Sequence, residues 1–95
     1  MILCQVFRDK DRAVRGFKVS GHALFEDVGK DIVCAAVAAL SQTAVIGLEE
    51  YIGMNPRVTI QSGLLECHLS GAYDGVGLAQ AQAVLETMVL GLHNI

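Results

Sequence analysis

Residues 31–53, "DIVCAAVAALSQTAVIGLEEYIG", decide the fold. Val33, Val37, Leu40, Ala44, Leu48 and Tyr51 recur at the helical period, so one apolar stripe runs down a long helix. Asp31 sits where an N-cap belongs, and Gly53, ahead of the chain's only proline at Pro56, is placed to end the helix. On either side of this helix the period changes to two. Upstream, Ile2 to Phe7 and Val14 to Val19 read as strands joined by the charged turn "RDKDRA". Downstream, Arg57 to Gln61 and Leu64 to Leu69 form a second hairpin across Ser62-Gly63, with Val58, Ile60, Leu65, Cys67 and Leu69 on the core side. A second amphipathic helix follows through Leu78, Ala81, Leu85, Met88 and Leu92, with Gln80, Gln82 and Glu86 expected to point outward.

The order strand-strand-helix-strand-strand-helix predicts an α+β two-layer sandwich, a mostly antiparallel sheet with both helices on one face. Ninety-five residues without linker or low-complexity segment predict a single domain over 1–95. Apolar residues make up 53% and charged residues 18%, more apolar surface than one helix–sheet interface needs, which points to a homodimer. A net charge of -3 with no basic run argues against direct nucleic-acid binding. The longest apolar run, Ile32 to Leu40, is too short to span a bilayer, and "MILCQVF" lacks a basic leader, so a cytoplasmic protein away from membranes is expected. Cys4, Cys34 and Cys67 are odd in number and lack metal-ligand spacing, which predicts free thiols and neither metal nor cofactor. Cys4 and Cys67, on strands, are expected in the core. His68 and Cys67 point to opposite sheet faces, and His93 falls in a last helical turn, where its charge is favourable.

The chemistry concentrates in residues 21–34, "GHALFEDVGKDIVC". With Asp31 as cap, Cys34 would stand in the first helical turn, where unpaired N–H groups and the helix dipole favour a thiolate and could hold an oxyanion. His22, twelve residues earlier on a loop carrying Gly21 and Gly29, can fold back as general base, with Asp31 the nearest carboxylate to orient it. Leu24 and Phe25 are apolar side chains on a polar loop and, with Gly21, are candidates to grip an apolar peptide. A cysteine inside "IVCAAV" is, on composition alone, a packing residue. On these residues alone a cysteine hydrolase, a small amidase and a non-catalytic binding module all stay open.

"GHALFEDVGKDIVCAAVAAL", residues 21–40, resembles the signature of the ribosomal-processing cysteine protease family, and "LETMVLGL" in the last helix is similar too. The resemblance implies a cytosolic homodimeric protease that trims an N-terminally extended ribosomal protein, the twenty-seventh of the large subunit. It implies His22 and Cys34 as the catalytic pair and Asp31 as an assistant, with cleavage after an apolar and aromatic stretch. Where the family usually has serine, this chain has Ala38.

Overall fold

The computed structural model describes residues 2–21, 28–71 and 73–95, the turn 28–31 by its backbone alone. Strands β1 (Leu3–Arg8) and β2 (Val14–Ser20) lead to helix α1 (Val28–Ile46); β3 (Arg57–Gln61) and β4 (Leu64–His68) lead to α2 (Gly75–His93). The four strands form one antiparallel sheet in the order β1-β2-β4-β3, so β1 and β3 are its edges. This is the α+β arrangement that the sequence predicts.

Register explains where the core sits. Val6, Phe17, Cys67 and Val58 stand side by side across the sheet, and so do Cys4, Val19, Leu65 and Ile60. Side chains alternate between faces, so both rows point to the helix side. Their central members, Phe17, Val19, Leu65 and Cys67, are buried against Val37, Ala44, Leu48, Ala81, Leu85 and Met88. The ends of the second row are not covered. Cys4 is exposed and Ile60 keeps 72% of its surface, which corrects the expectation that both belong to the core. Both are on edge strands, where the helix layer runs out.

The opposite face has its own logic. Phe7, Gly16, His68 and Arg57 form a cross-strand row, and with no side chain at Gly16 the rings of Phe7 and His68 close over it, 5.4 Å apart and 18° from parallel. A Cβ on Gly16 would lie 2.7 Å from both the Cys67 carbonyl oxygen and His68 Nδ1. Gly16→Ala is therefore expected to destabilise the fold by about 1–3 kcal/mol, read as a lower urea midpoint with unchanged slope. A midpoint equal to the parent's would show that the backbone yields there freely.

Polar contacts tie α2 to the first hairpin. Gln82 Oε1 accepts from the Val14 N–H at 2.7 Å while its Nε2 donates to the Val14 carbonyl at 2.9 Å. Arg8 forms a two-point ion pair with Glu86, at 2.8 and 2.9 Å. Gln82 and Glu86 thus bond to the first hairpin, although the Glu86 side chain keeps 43% of its surface.

The first long helix changes its winding at Gly47–Ile52, a π-helical stretch that the periodicity did not announce. The Gly53 and Met54 N–H groups both return to the Leu48 carbonyl, and left-handed Gly53, at φ 82°, turns Met54 into the core. Reading the winding through, Ile32–Ile52 has a mean hydropathy of 1.8 and Gly75–His93 one of 1.3, enough by length and composition to cross a membrane. That corrects the estimate made from the nine-residue run. One face of each helix is apolar because it packs on the sheet; Ile46, Tyr51, Val76 and Leu90 lie exposed on the remainder.

Candidate active site

Helix α1 begins at Val28, so Asp31 lies inside it and is not the N-cap. Gly29 does not end the helix because a single glycine costs only about 1 kcal/mol against the periodic apolar run that follows. The consequence for Cys34 is direct. It is the seventh residue of α1, beyond the first four N–H groups that lack helical partners, and the dipole's influence fades within the first turn. Activation by a bare helix start, expected from the sequence, is replaced by a position in the second turn. Asp31 is three residues before Cys34 on the same helix, a spacing that brings two positions onto one face.

His22, Leu24 and Phe25 lie outside the described residues. Their neighbour Gly21 is placed. It follows β2 with φ 84°, a conformation suited to glycine, and its N–H donates to the Gly63 carbonyl at 3.0 Å. Gly63, at φ 73°, is half of the two-residue turn that joins β3 to β4. The chain therefore enters the 22–27 segment pinned to the tip of the second hairpin.

That tip and α1 enclose a cavity of about 260 Å³, bordered by Ala38, Gln42, Ile60, Gly63, Leu64 and Leu65. Ala38 is one turn along from Cys34. A second cavity, about 310 Å³, opens on the other flank of α1 among Cys4, Val6, Val33, Val37, Leu92 and His93. Neither cavity was visible in the sequence. What could have pointed to the first is the register in which the Ser62-Gly63 turn places Ile60 opposite Leu65.

The three thiols occupy different surroundings. Cys67 is 1% exposed, and burial, with a smaller contribution from the Glu49 charge, pushes its thiol up to about 11. Burial also raises Cys4, although its residue surface is exposed. Cys34 is half-buried. A thiolate is the reacting species, so iodoacetamide at neutral pH is expected to label Cys34 first, Cys4 later and Cys67 only on unfolding. Peptide mapping that finds Cys4 labelled as fast as Cys34 would contradict this order.

Of the two described histidines, His68 stands apart from the helix layer, whereas His93 borders the second cavity with Ile2, Cys4 and Val33. His68 is on the sheet face opposite the helices, its Nε2 2.7 Å from Glu66 Oε2. That hydrogen bond, helped by the charges of Lys18 and Arg57, holds the Glu66 carboxyl below its usual range. His68 is therefore no substitute base for a nucleophile on α1. His93 is exposed in the last turn of α2. Tyr73 is held by the fold: its hydroxyl accepts the Asn55 N–H at 3.0 Å and its carbonyl accepts from Arg15 at 3.1 Å. Both contacts lie at the end of the sheet away from Gly21 and Gly63.

Comparison with known proteins gives a consistent result. The whole chain, residues 1–95, matches the family described as cysteine protease Prp. It is 30% identical over 97 residues to the ribosomal processing cysteine protease Prp of Bacillus subtilis (strain 168), covering 100% of this chain and 87% of that protein. SMU.848 of Streptococcus mutans superposes with a TM-score of 0.84 at 28% identity, over 99% of this chain and 82% of that one. The fold is also that of the S. aureus ribosomal processing protease Prp solved with a substrate peptide, with a TM-score of 0.86 at 22% identity over 99% and 87% of the two chains.

Proposed function

We propose, from the premise that the chain belongs to the cysteine protease Prp family and is a cysteine protease, that it removes the N-terminal extension of a large-subunit ribosomal protein with Cys34 as nucleophile and His22 as base. The observation that carries this assignment is the Gly21–Gly63 hydrogen bond. It fixes the residue next to His22 at the rim of the cavity that Ala38 borders, one helical turn from Cys34. Gly21, the residue before His22, and Cys34, twelve residues after His22, thereby start from the same end of the molecule, which supports the pairing.

In the reaction, the Cys34 thiol passes its proton to His22 as sulfur attacks the scissile carbonyl. The tetrahedral intermediate expels the amine, which leaves with the proton from His22, and a thioester to the N-terminal product remains. Water, deprotonated by His22, then hydrolyses the thioester and the thiol is restored. Asp31, one turn before Cys34, is assigned the orientation of His22. Gly21, Leu24 and Phe25 are assigned to substrate contact. No metal or cofactor is required by this sequence of steps.

The relative's printed name, ribosomal processing protease, supports the substrate class. The apolar residues left exposed on both helices, Ile46, Tyr51, Val76 and Leu90 among them, support a homodimer, and the lack of a basic run supports a protein rather than a nucleic-acid ligand. A cytoplasmic location follows from a ribosomal-protein substrate. The test is incubation with the N-terminally extended ribosomal protein of the same cell, followed by intact mass. One new species, shortened at its N-terminus, is expected from the parent and none from Cys34→Ala. An unchanged substrate mass under both conditions would refute the reading.

A further inference from the structure

We infer that Gly63, in the turn between β3 and β4, is a positioning residue for the cleavage reaction: its carbonyl holds the chain at Gly21 and so sets where the segment bearing the base leaves the sheet. The inference rests on the reading of His22 as the base and adds the residue on which that base depends. Its starting point is the end of the β2–β4 ladder. Ser20 and Leu64 are the last pair in register. Past them, the bond from the Gly21 N–H to the Gly63 carbonyl, at 3.0 Å, is the one main-chain hydrogen bond that residue 21 makes among the described residues.

Three observations give Gly63 this role. First, its φ of 73° lies in the left-handed region, which a residue with a Cβ enters at a cost and a β-branched residue enters least readily. A side chain there favours a rotation of the turn that swings the carbonyl away from Gly21. Second, Gly21 itself turns at φ 84°, so the bond sits at the point where the chain leaves strand geometry. A shift of the Gly63 carbonyl is therefore passed on past residue 21 with no further rung of the ladder to absorb it. Third, the same turn reaches the helix of the nucleophile. Gly63 and Leu64 border one cavity with Ala38 and Gln42 of α1, and Ala38 is one turn on from Cys34. One two-residue turn thus meets both arms of the catalytic pair. Misplacing a reacting group by 1 Å can cost about 10²-fold in rate, so the position of this turn carries through to catalysis. Ser62, the other half of the turn, is exposed and has no positive φ, which makes it the natural control.

The test compares Gly63→Val, Gly63→Asn and Ser62→Ala in peptide cleavage. Valine resists positive φ and is expected to lower kcat about tenfold or more with KM within about twofold of the parent's. Asparagine tolerates positive φ and is expected to restore kcat to within about threefold. Ser62→Ala should match the parent. A second readout follows the chemistry in folded protein, below the melting transition: the rate at which iodoacetamide alkylates Cys34 at neutral pH. It is expected to fall by similar factors in Gly63→Val and His22→Ala and to keep the parent value in Ser62→Ala, whereas a turn that served stability alone would leave it unmoved. Replacing Gly21 by glycolate through peptide ligation exchanges the donor N–H for an ester oxygen and leaves the turn intact. That protein should reproduce the Gly63→Val loss, and it decides the matter if Gly63→Val does not fold. Parent kcat in Gly63→Val, a loss in Gly63→Val with Cys34 alkylation unchanged, or a glycolate protein as active as the parent would each overturn the inference. Parent-rate alkylation in His22→Ala would instead strike the reading of His22 as the base.

Discussion

Cys34→Ala is expected to lower peptide cleavage by roughly 10⁴-fold or more, with circular dichroism and melting midpoint close to the parent's. The substitution removes one sulfur from a half-buried position, so no large cavity opens and the loss is chemical. His22→Ala is expected to fall by a comparable factor, because nucleophile and base act as one unit, and the double variant should be little worse than either alone. Losses that multiplied would mean two independent roles. Asp31→Ala should cost less activity than either. It should also spare the stability that a lost N-cap would remove, because α1 starts at Val28 and residue 31 is within the helix. Urea unfolding of Asp31→Ala checks this, and a drop of about 1 kcal/mol or more would restore a capping role.

The largest effect on stability is expected at Phe17. Its ring is 1% exposed, flanked in register by Val6 and Cys67, and sits at the centre of the layer between sheet and helices. Phe17→Ala should cost about 3–5 kcal/mol, from lost transfer energy together with the cavity left behind. A domain of this size has roughly 5–14 kcal/mol in total. The variant is therefore expected to unfold at a much lower urea concentration, and its melting midpoint to fall by more than about 10 °C. A change below about 1 kcal/mol would mean that the core collapses around the missing ring, contrary to the packing described.

Element order and the inward faces of β2 and β4 were legible because both follow local rules: a period of two against a period near four, broken by turn residues. Phe17, Val19, Leu65 and Cys67 are buried as their alternation predicts. Cys4 and Ile60 follow the same alternation and are exposed, because strand order, not sequence pattern, decides which strands are edges. The start of α1 was misplaced by four residues since Asp31 has the chemistry of a cap, and Gly29 that of a break, yet the helix already runs from Val28. Gln82 and Glu86 looked like solvent-facing positions because their partners, Val14 and Arg8, are more than sixty residues away in the chain. The pairing of His22 with Cys34 came from a joint pattern over residues 21–40; the cavity beside it came only from three-dimensional register.

The central claim, that Cys34 is the nucleophile toward an extended peptide, is tested most directly by an affinity label: an apolar octapeptide ending in a chloromethyl ketone at the scissile carbonyl. Attack by a thiolate forms a carbon–sulfur bond and releases chloride. The account predicts one equivalent of label per chain, mapped to the tryptic peptide containing Cys34, with cleavage lost in proportion to labelling. Label on Cys4 or Cys67 accompanying inactivation, or full modification of Cys34 with cleavage intact, would contradict it.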